Sequence, residues 1–260
     1  MNHQLASRRR VAVSAAAVAA VLILWQLAGT FEWTSRLILP PPSEIVQAAD
    51  DLMTDGYRQS SLWGHIGASL ARAVSAFIVA TIVGVPLGLL MGMYPTLNAI
   101  LDPFVQFLRP LPKLALIPLV IVWFGIGELS KFFLIFISTL LVIVVGAAAA
   151  VMNVKQGRIR AALALGVNRY QLFRHVILPH ALPELFISVR LGIGIGWTTL
   201  IAAEMIAASS GLGWMVLNAS SYLRTDIVML GILILGVTGY ILDLILVAVQ
   251  RVAVPWMGKE

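Results

Sequence analysis

Two stretches of this chain, Val11–Phe31 and Ala73–Met93, each run for 21 residues without a charged side chain. A bilayer span needs about 20 mostly apolar residues. Apart from a closed barrel, only a helix satisfies its own backbone in lipid. Both stretches are therefore expected to cross a membrane as helices. Composition agrees, because 60% of the residues are hydrophobic and 12% charged, against about 25% charged in soluble domains. A soluble fold of this size has no place for so much apolar surface.

Further spans follow the same logic. Val11–Phe31 is preceded by Arg8, Arg9 and Arg10 and followed by no clear small-x-small cleavage site, so it reads as a retained span rather than a signal peptide. Residues 32–72 carry Pro40, Pro41 and Pro42 and then Glu44, Asp50, Asp51 and Asp55. They read as an extra-membrane segment with one short amphipathic helix after the prolines. The span at 73–93 contains Gly84, Pro86, Gly88 and Gly92, small residues that suit close packing among neighbouring helices. A third span, 111–127, is expected to enter the bilayer bent, because of Pro110, Pro112 and Pro118, with Lys113 snorkelling to the interface. Spans at 132–154, 185–208 and 227–250 complete six, within a single transmembrane domain covering 1–260.

Six spans put both termini on one side. Thirteen of the 18 Lys and Arg residues then share that side: Arg8, Arg9, Arg10, Arg109, Lys113, Lys155, Arg158, Arg160, Arg169, Arg174, Arg190, Arg251 and Lys259. The other five are Arg36, Arg58, Arg72, Lys131 and Arg224. Positive charge accumulates on the cytoplasmic side of membrane proteins, so the termini are expected to be cytoplasmic. The formal net charge of +6 is thereby explained without nucleic acid. The chain has no cysteine, which excludes disulfides and thiolate metal sites.

The segment 155–184 is polar and basic. Ile159–Leu165 favours a helix, Gly166 can take the left-handed conformation that ends one, and Asn168 can cap the next, Arg169–Val176. Pro179 is expected to end that second helix and Pro183 to begin the fifth span. The result is a helix–glycine–helix elbow on the cytoplasmic face. Its apolar surface, Ala161, Ala162, Leu163 and Leu165, suits a groove on a soluble partner. The bland reading is an ordinary basic loop.

The elbow resembles the cytoplasmic loop of ABC-importer permeases, E-A-A-x3-G-x9-I-x-L-P. Ala161, Ala162, Gly166, Leu178 and Pro179 fall at its spacings, while Val176 replaces the usual isoleucine and Arg160 the usual glutamate. The segments LILPPPSEI, GVPLGLLMG, LDPFVQFLRPLP, IPLVIVWFGIGELSK and GIGWTTLIAAEMIAASSGLGWM are similar to the taurine/nitrate/aliphatic-sulfonate group, taurine permeases most of all. The resemblance implies an all-α integral membrane protein with a type I importer bundle in a bacterial inner membrane. It further implies a homodimer of permeases, two cytoplasmic ATPase subunits and a periplasmic binding protein, moving a small sulfonate or related anion by alternating access. Coupling to the ATPase would fall to Arg160, Ala161, Ala162, Leu163, Ala164, Leu165, Gly166, Leu178 and Pro179. ATP and Mg would sit on the partner, for this chain contains no G-x4-G-K-[ST] loop.

Other residues carry weaker signals. Gly192, Gly194 and Gly196 mimic part of a dinucleotide fingerprint, but inside a span they indicate helix packing. His3, His65, His175 and His180 lack metal-ligand spacing, and no catalytic constellation is visible. Most of the seven tryptophans fall near span ends, as interface anchors do. Trp197 lies mid-span beside Thr198 and Thr199, where either pore lining or packing would fit. Glu204 is expected near the outer surface, at the mouth of the pathway or at a hydrated helix end. Arg190 and Asp243 reach similar depths in antiparallel spans, so they are expected to neutralise one another unless Arg190 snorkels to the cytoplasm. A self-contained secondary transporter is the alternative class, although it would be expected to show paired repeats and buried carboxylates.

Overall fold

The computed structural model describes residues 2–256, with side chains from residue 13 onward. The side chains of Arg8, Arg9 and Arg10, and Lys259, which support the expected orientation, lie outside the described residues. The described residues form helices: α1 (Asn2–Thr30), α2 (Pro42–Thr54), α3 (Leu62–Met93), α4 (Pro95–Leu108), α5 (Lys113–Phe124), α6 (Glu128–Met152), α7 (Gln156–Ala164), α8 (Arg169–Leu172), α9 (Leu178–Ala207), α10 (Leu212–Ser221) and α11 (Thr225–Ala253). Among the described residues, five membrane-length apolar segments are present: Val13–Thr30, α3, α6, the continuous stretch Arg169–Ala207, and α11. The bent pair α4 and α5 makes a sixth if taken as one span.

The chain forms two compact units. The first comprises residues 1–65 and 215–234. Here the proline run sets the start of α2: Pro41 is extended and Pro42 occupies the first turn, where a missing N–H costs nothing. Helix α2 is amphipathic and buries Ile45, Ala48 and Leu52. Trp25 Nε1 donates to Pro40 O at 3.0 Å, tying the end of α1 to that turn.

The second unit comprises residues 66–214 and 235–260. Its centre is α6, apolar on all sides beyond its charged first turn and the most buried of the membrane-length helices, as expected for a helix surrounded by others. Helix α3 lies against it through small residues. A Cβ on Gly88 would meet Val144 O and Ala147 Cβ at 2.5 Å, so only glycine permits this approach. Helix α9 packs on another side of α6, where Gly192 and Gly196 lie against Thr139.

Three boundaries differ from expectation. Helix α3 starts at Leu62 rather than near Ala73, because Arg72 is partnered inside the unit and need not stay in a loop. The expected third span, 111–127, is instead a 12-residue helix after a 102° bend from α4. Pro110 and Pro112 break the ladder there. Lys113 Nζ donates to Leu108 O, Arg109 O and Leu111 O at 2.8–3.1 Å, capping carbonyls left open at the bend after α4. The fifth span begins at Leu178, not Leu185, because Pro179 does not end the helix before it. A π-helical turn, Phe173–Ile177, joins α8 to α9. The Leu178 N–H bonds Phe173 O, five residues back. This wider turn accommodates a ring that would otherwise collide with the carbonyl four residues earlier.

Candidate functional site

The elbow folds from local rules. Helix α7 ends where Gly166 takes φ +79° and its N–H bonds Leu163 O at 3.0 Å. A left-handed glycine is the usual residue just past a helix end. Asn168 then opens α8: its side-chain oxygen accepts from Gln171 N at 2.8 Å, and Gln171 Oε1 accepts from Asn168 N at 2.9 Å. This reciprocal pair is a capping box. Helix α7 is one turn longer at its start than expected and stops at Ala164.

The elbow's two faces differ. Ala162 is buried, and Ile177 joins the apolar cluster that includes Val154, Ala181 and Leu185, with Leu178 against it. Pro179 is half-buried. Arg160, Ala161, Leu163, Ala164 and Gly166 are exposed, and Leu165 is 84% exposed. Two leucines beside a rigid turn form an apolar edge available to a partner.

A second constellation lies at the other end of α9. Glu204 is about 39 Å along the helix from Leu178, at 1.5 Å per residue, and is 0% exposed. It is thus enclosed by protein rather than a hydrated helix end. The segment after α9 folds back over it: Gly213 N donates to its Oε2 at 2.9 Å. Gly211 takes φ +120°, and any Cβ there would run into the Glu204 carboxylate. From α3, Ser69 Oγ lies 2.9 Å from both carboxylate oxygens, and Leu212 N donates to that same Oγ at 2.8 Å.

Arg72 neutralises Glu204. Its Nη1 donates to Glu204 Oε1 and to Ser210 O, both at 2.7 Å. Its Nη2 donates to Glu128 Oε1 at 2.9 Å and Ser210 Oγ at 3.2 Å, and its Nε to Glu128 Oε2 at 2.6 Å. All five N–H donors of the guanidinium are used. Lys131, one turn along α6, donates to Glu128 Oε1 at 2.7 Å. Four alternating charges therefore bind α3, the start of α6 and the end of α9 together. Of these four charges, the sequence singles out only Glu204. Arg72, Glu128 and Lys131 sit at span ends, where charges read as solvated; the available signal was the three-residue spacing of Ser69 with Arg72 and of Glu128 with Lys131, which places each pair on one helix face.

The structure brings Arg190 and Asp243 together: Nε donates to Oδ1 and Nη2 to Oδ2, both at 2.9 Å. This bidentate fork links α9 to α11 with both side chains half-buried. Trp197 is buried, with its indole nitrogen 3.0 Å from where a Cβ on Gly239 would stand. In this structure its ring packs against α11 at Gly239. Thr199 is also buried, and its hydroxyl and that of Thr198 donate to Ile195 O at 3.0 and 2.8 Å. Of the three, only Thr198 is exposed. An apolar groove of about 620 Å³ lies between α3, α9 and α11, lined by residues such as Phe77, Ile78, Phe186 and Leu246. Its lining offers a charged solute no compensation.

Comparison with known proteins places these features in context. Residues 84–259 match the family described as binding-protein-dependent transport system inner membrane component. Over 255 residues, 96% of this chain and 92% of the relative, the chain is 43% identical to the taurine transport system permease protein TauC of Escherichia coli (strain K12). It is 38% identical over 236 residues to the putative aliphatic sulfonates transport permease protein SsuC of the same organism, covering 91% of this chain and 88% of the relative. It is 29% identical over 246 residues to the nitrate import permease protein NrtB of a Synechocystis species, covering 93% and 88%. The fold resembles a chain of the MetNI methionine ABC transporter in an inward-facing conformation, with TM-score 0.58 and 20% identity over 75% of this chain and 99% of that one.

Proposed function

This chain belongs to the family of inner membrane components of binding-protein-dependent transport systems, and from that membership we propose that it is the permease subunit that carries a small sulfonate, taurine foremost, from periplasm to cytoplasm. The observation that carries the substrate reading is its 43% identity to a taurine permease along 96% of its length. Two copies would form the pathway, with two cytoplasmic ATPase subunits beneath and a periplasmic binding protein above. In this reading both termini face the cytoplasm of a bacterial cell.

The proposed mechanism is alternating access. ATP draws the two ATPase subunits together. Each holds an elbow by the exposed edge of Leu163 and Leu165. Ala162, Ile177 and Leu178 root that elbow in the bundle, so its displacement is transmitted to α9 and α6. The pair of permeases then opens outward, receives the anion from the binding protein, and returns when ATP is hydrolysed. ATP and Mg belong to the partner subunit. An ion-gradient-driven carrier has less support, since relatives over nearly the whole chain are transport permeases.

The test is reconstitution of the chain with its ATPase and binding-protein partners in proteoliposomes. ATP-dependent accumulation of labelled taurine, competed by methanesulfonate more strongly than by nitrate, is expected. Accumulation driven by a proton or sodium gradient without ATP, or preference for nitrate, would overturn the assignment.

A further inference from the structure

We propose that Arg72 and Lys131 form an oxyanion-binding station at the end of the bundle opposite the elbow, where the Glu128 carboxylate is a resident counter-ion that a substrate sulfonate displaces. The inference rests on the reading of the chain as a sulfonate permease and adds the residues that would meet the substrate.

The two carboxylates on Arg72 are unequal. Glu204 is fully buried and has further donors in Ser69 and Gly213, whereas the Glu128 side chain is 65% exposed. The cations facing Glu128 are not exposed: the Arg72 side chain retains 10% of its surface and Lys131 4%. Buried cations with an exposed anionic partner are the arrangement in which the partner can leave. Glu204 and Ser210 hold the Nη1 side of the guanidinium, which orients Nε and Nη2 toward Glu128.

The donor count favours a sulfonate. Arg72 Nε, Arg72 Nη2 and Lys131 Nζ are three donors shared by two carboxylate oxygens, with Oε1 accepting twice. A sulfonate brings three oxygens, two for the planar fork of arginine and one for the lysine, without sharing. When Glu128 swings out, Arg72, Lys131 and Glu204 leave one net positive charge for a sulfonate group. When the anion departs, Glu128 returns and restores neutrality, so the station releases what it holds.

The test uses the reconstituted complex with its ATPase. In the wild type, 10 mM-range methanesulfonate, on the order of a weak transport-site affinity, is added with a water-soluble carbodiimide, and modification of Glu128 is read by peptide mass spectrometry. Displacement should raise modification several-fold. Unchanged modification overturns the station without requiring any variant. Glu128→Gln removes the competing charge and should raise binding of labelled taurine to the complex, measured without binding protein, about tenfold. Adding Lys131→Gln should abolish that gain. Equal binding by wild type and Glu128→Gln overturns the proposal. Taurine uptake by the wild-type complex is followed in parallel: its absence counts against the substrate reading, whereas normal uptake with unchanged Glu128 modification counts against the station alone.

Discussion

Glu204 is a carboxylate with no exposed surface, and its cost is offset by a guanidinium, a hydroxyl and a backbone N–H at 2.7–2.9 Å. Removing one member of such a buried set destabilises by about 3–5 kcal/mol, because what remains is uncompensated. Glu204→Ala is therefore expected to lower the melting temperature and folded yield in detergent, with Glu204→Gln intermediate. A melting temperature equal to wild type would show that the network adds no stability. The Arg190–Asp243 fork offers a cleaner test. An unpaired charge at a helix centre costs about 2.5–3.5 kcal/mol on insertion scales. Arg190→Asp and Asp243→Arg are each expected to reduce folded yield, and the double variant to recover part of it. Strictly additive losses would mean that the two charges do not stabilise one another.

Within the elbow, Gly166 is the position where a substitution touches no neighbour. A Cβ on Gly166 would meet nothing within 4 Å, so substitution there acts only through backbone strain at φ +79°. That strain is about 1–2 kcal/mol for an ordinary side chain, and asparagine tolerates the region better. Gly166→Val is expected to leave the folded yield of the bundle close to wild type while lowering ATPase association and uptake, and Gly166→Asn to retain most of both. Full uptake by Gly166→Val would remove the elbow from the coupling path. The elbow was legible in the sequence because each of its signals is local: a glycine after an apolar run, and an asparagine placed to cap the next helix. The continuation through Pro179 was not legible, because a π-helical turn answers to the packing of Phe173 and Ile177 against the bundle.

For the molecule as a whole, the division of labour yields a direct prediction. The purified subunit alone is expected to hydrolyse no ATP, for its sequence has no phosphate-binding loop, and adding the ATPase partner should restore turnover. Hydrolysis by the contaminant-free subunit would refute that division. The sequence by itself determined that the chain is a helical membrane protein, roughly where its long helices lie, and that an elbow interrupts them. Those properties follow from runs of 20 or so apolar residues and from caps acting within a few positions. Only the tertiary structure decided which charges meet. Arg72 and Glu204 are 132 residues apart, and Arg190 and Asp243 are 53. The antiparallel geometry of α9 and α11 was enough to anticipate the second pair. The first depends on a loop folding back over the end of α9 through Gly211 and Gly213. No periodicity along the chain reports that closure, because it is set by long-range packing.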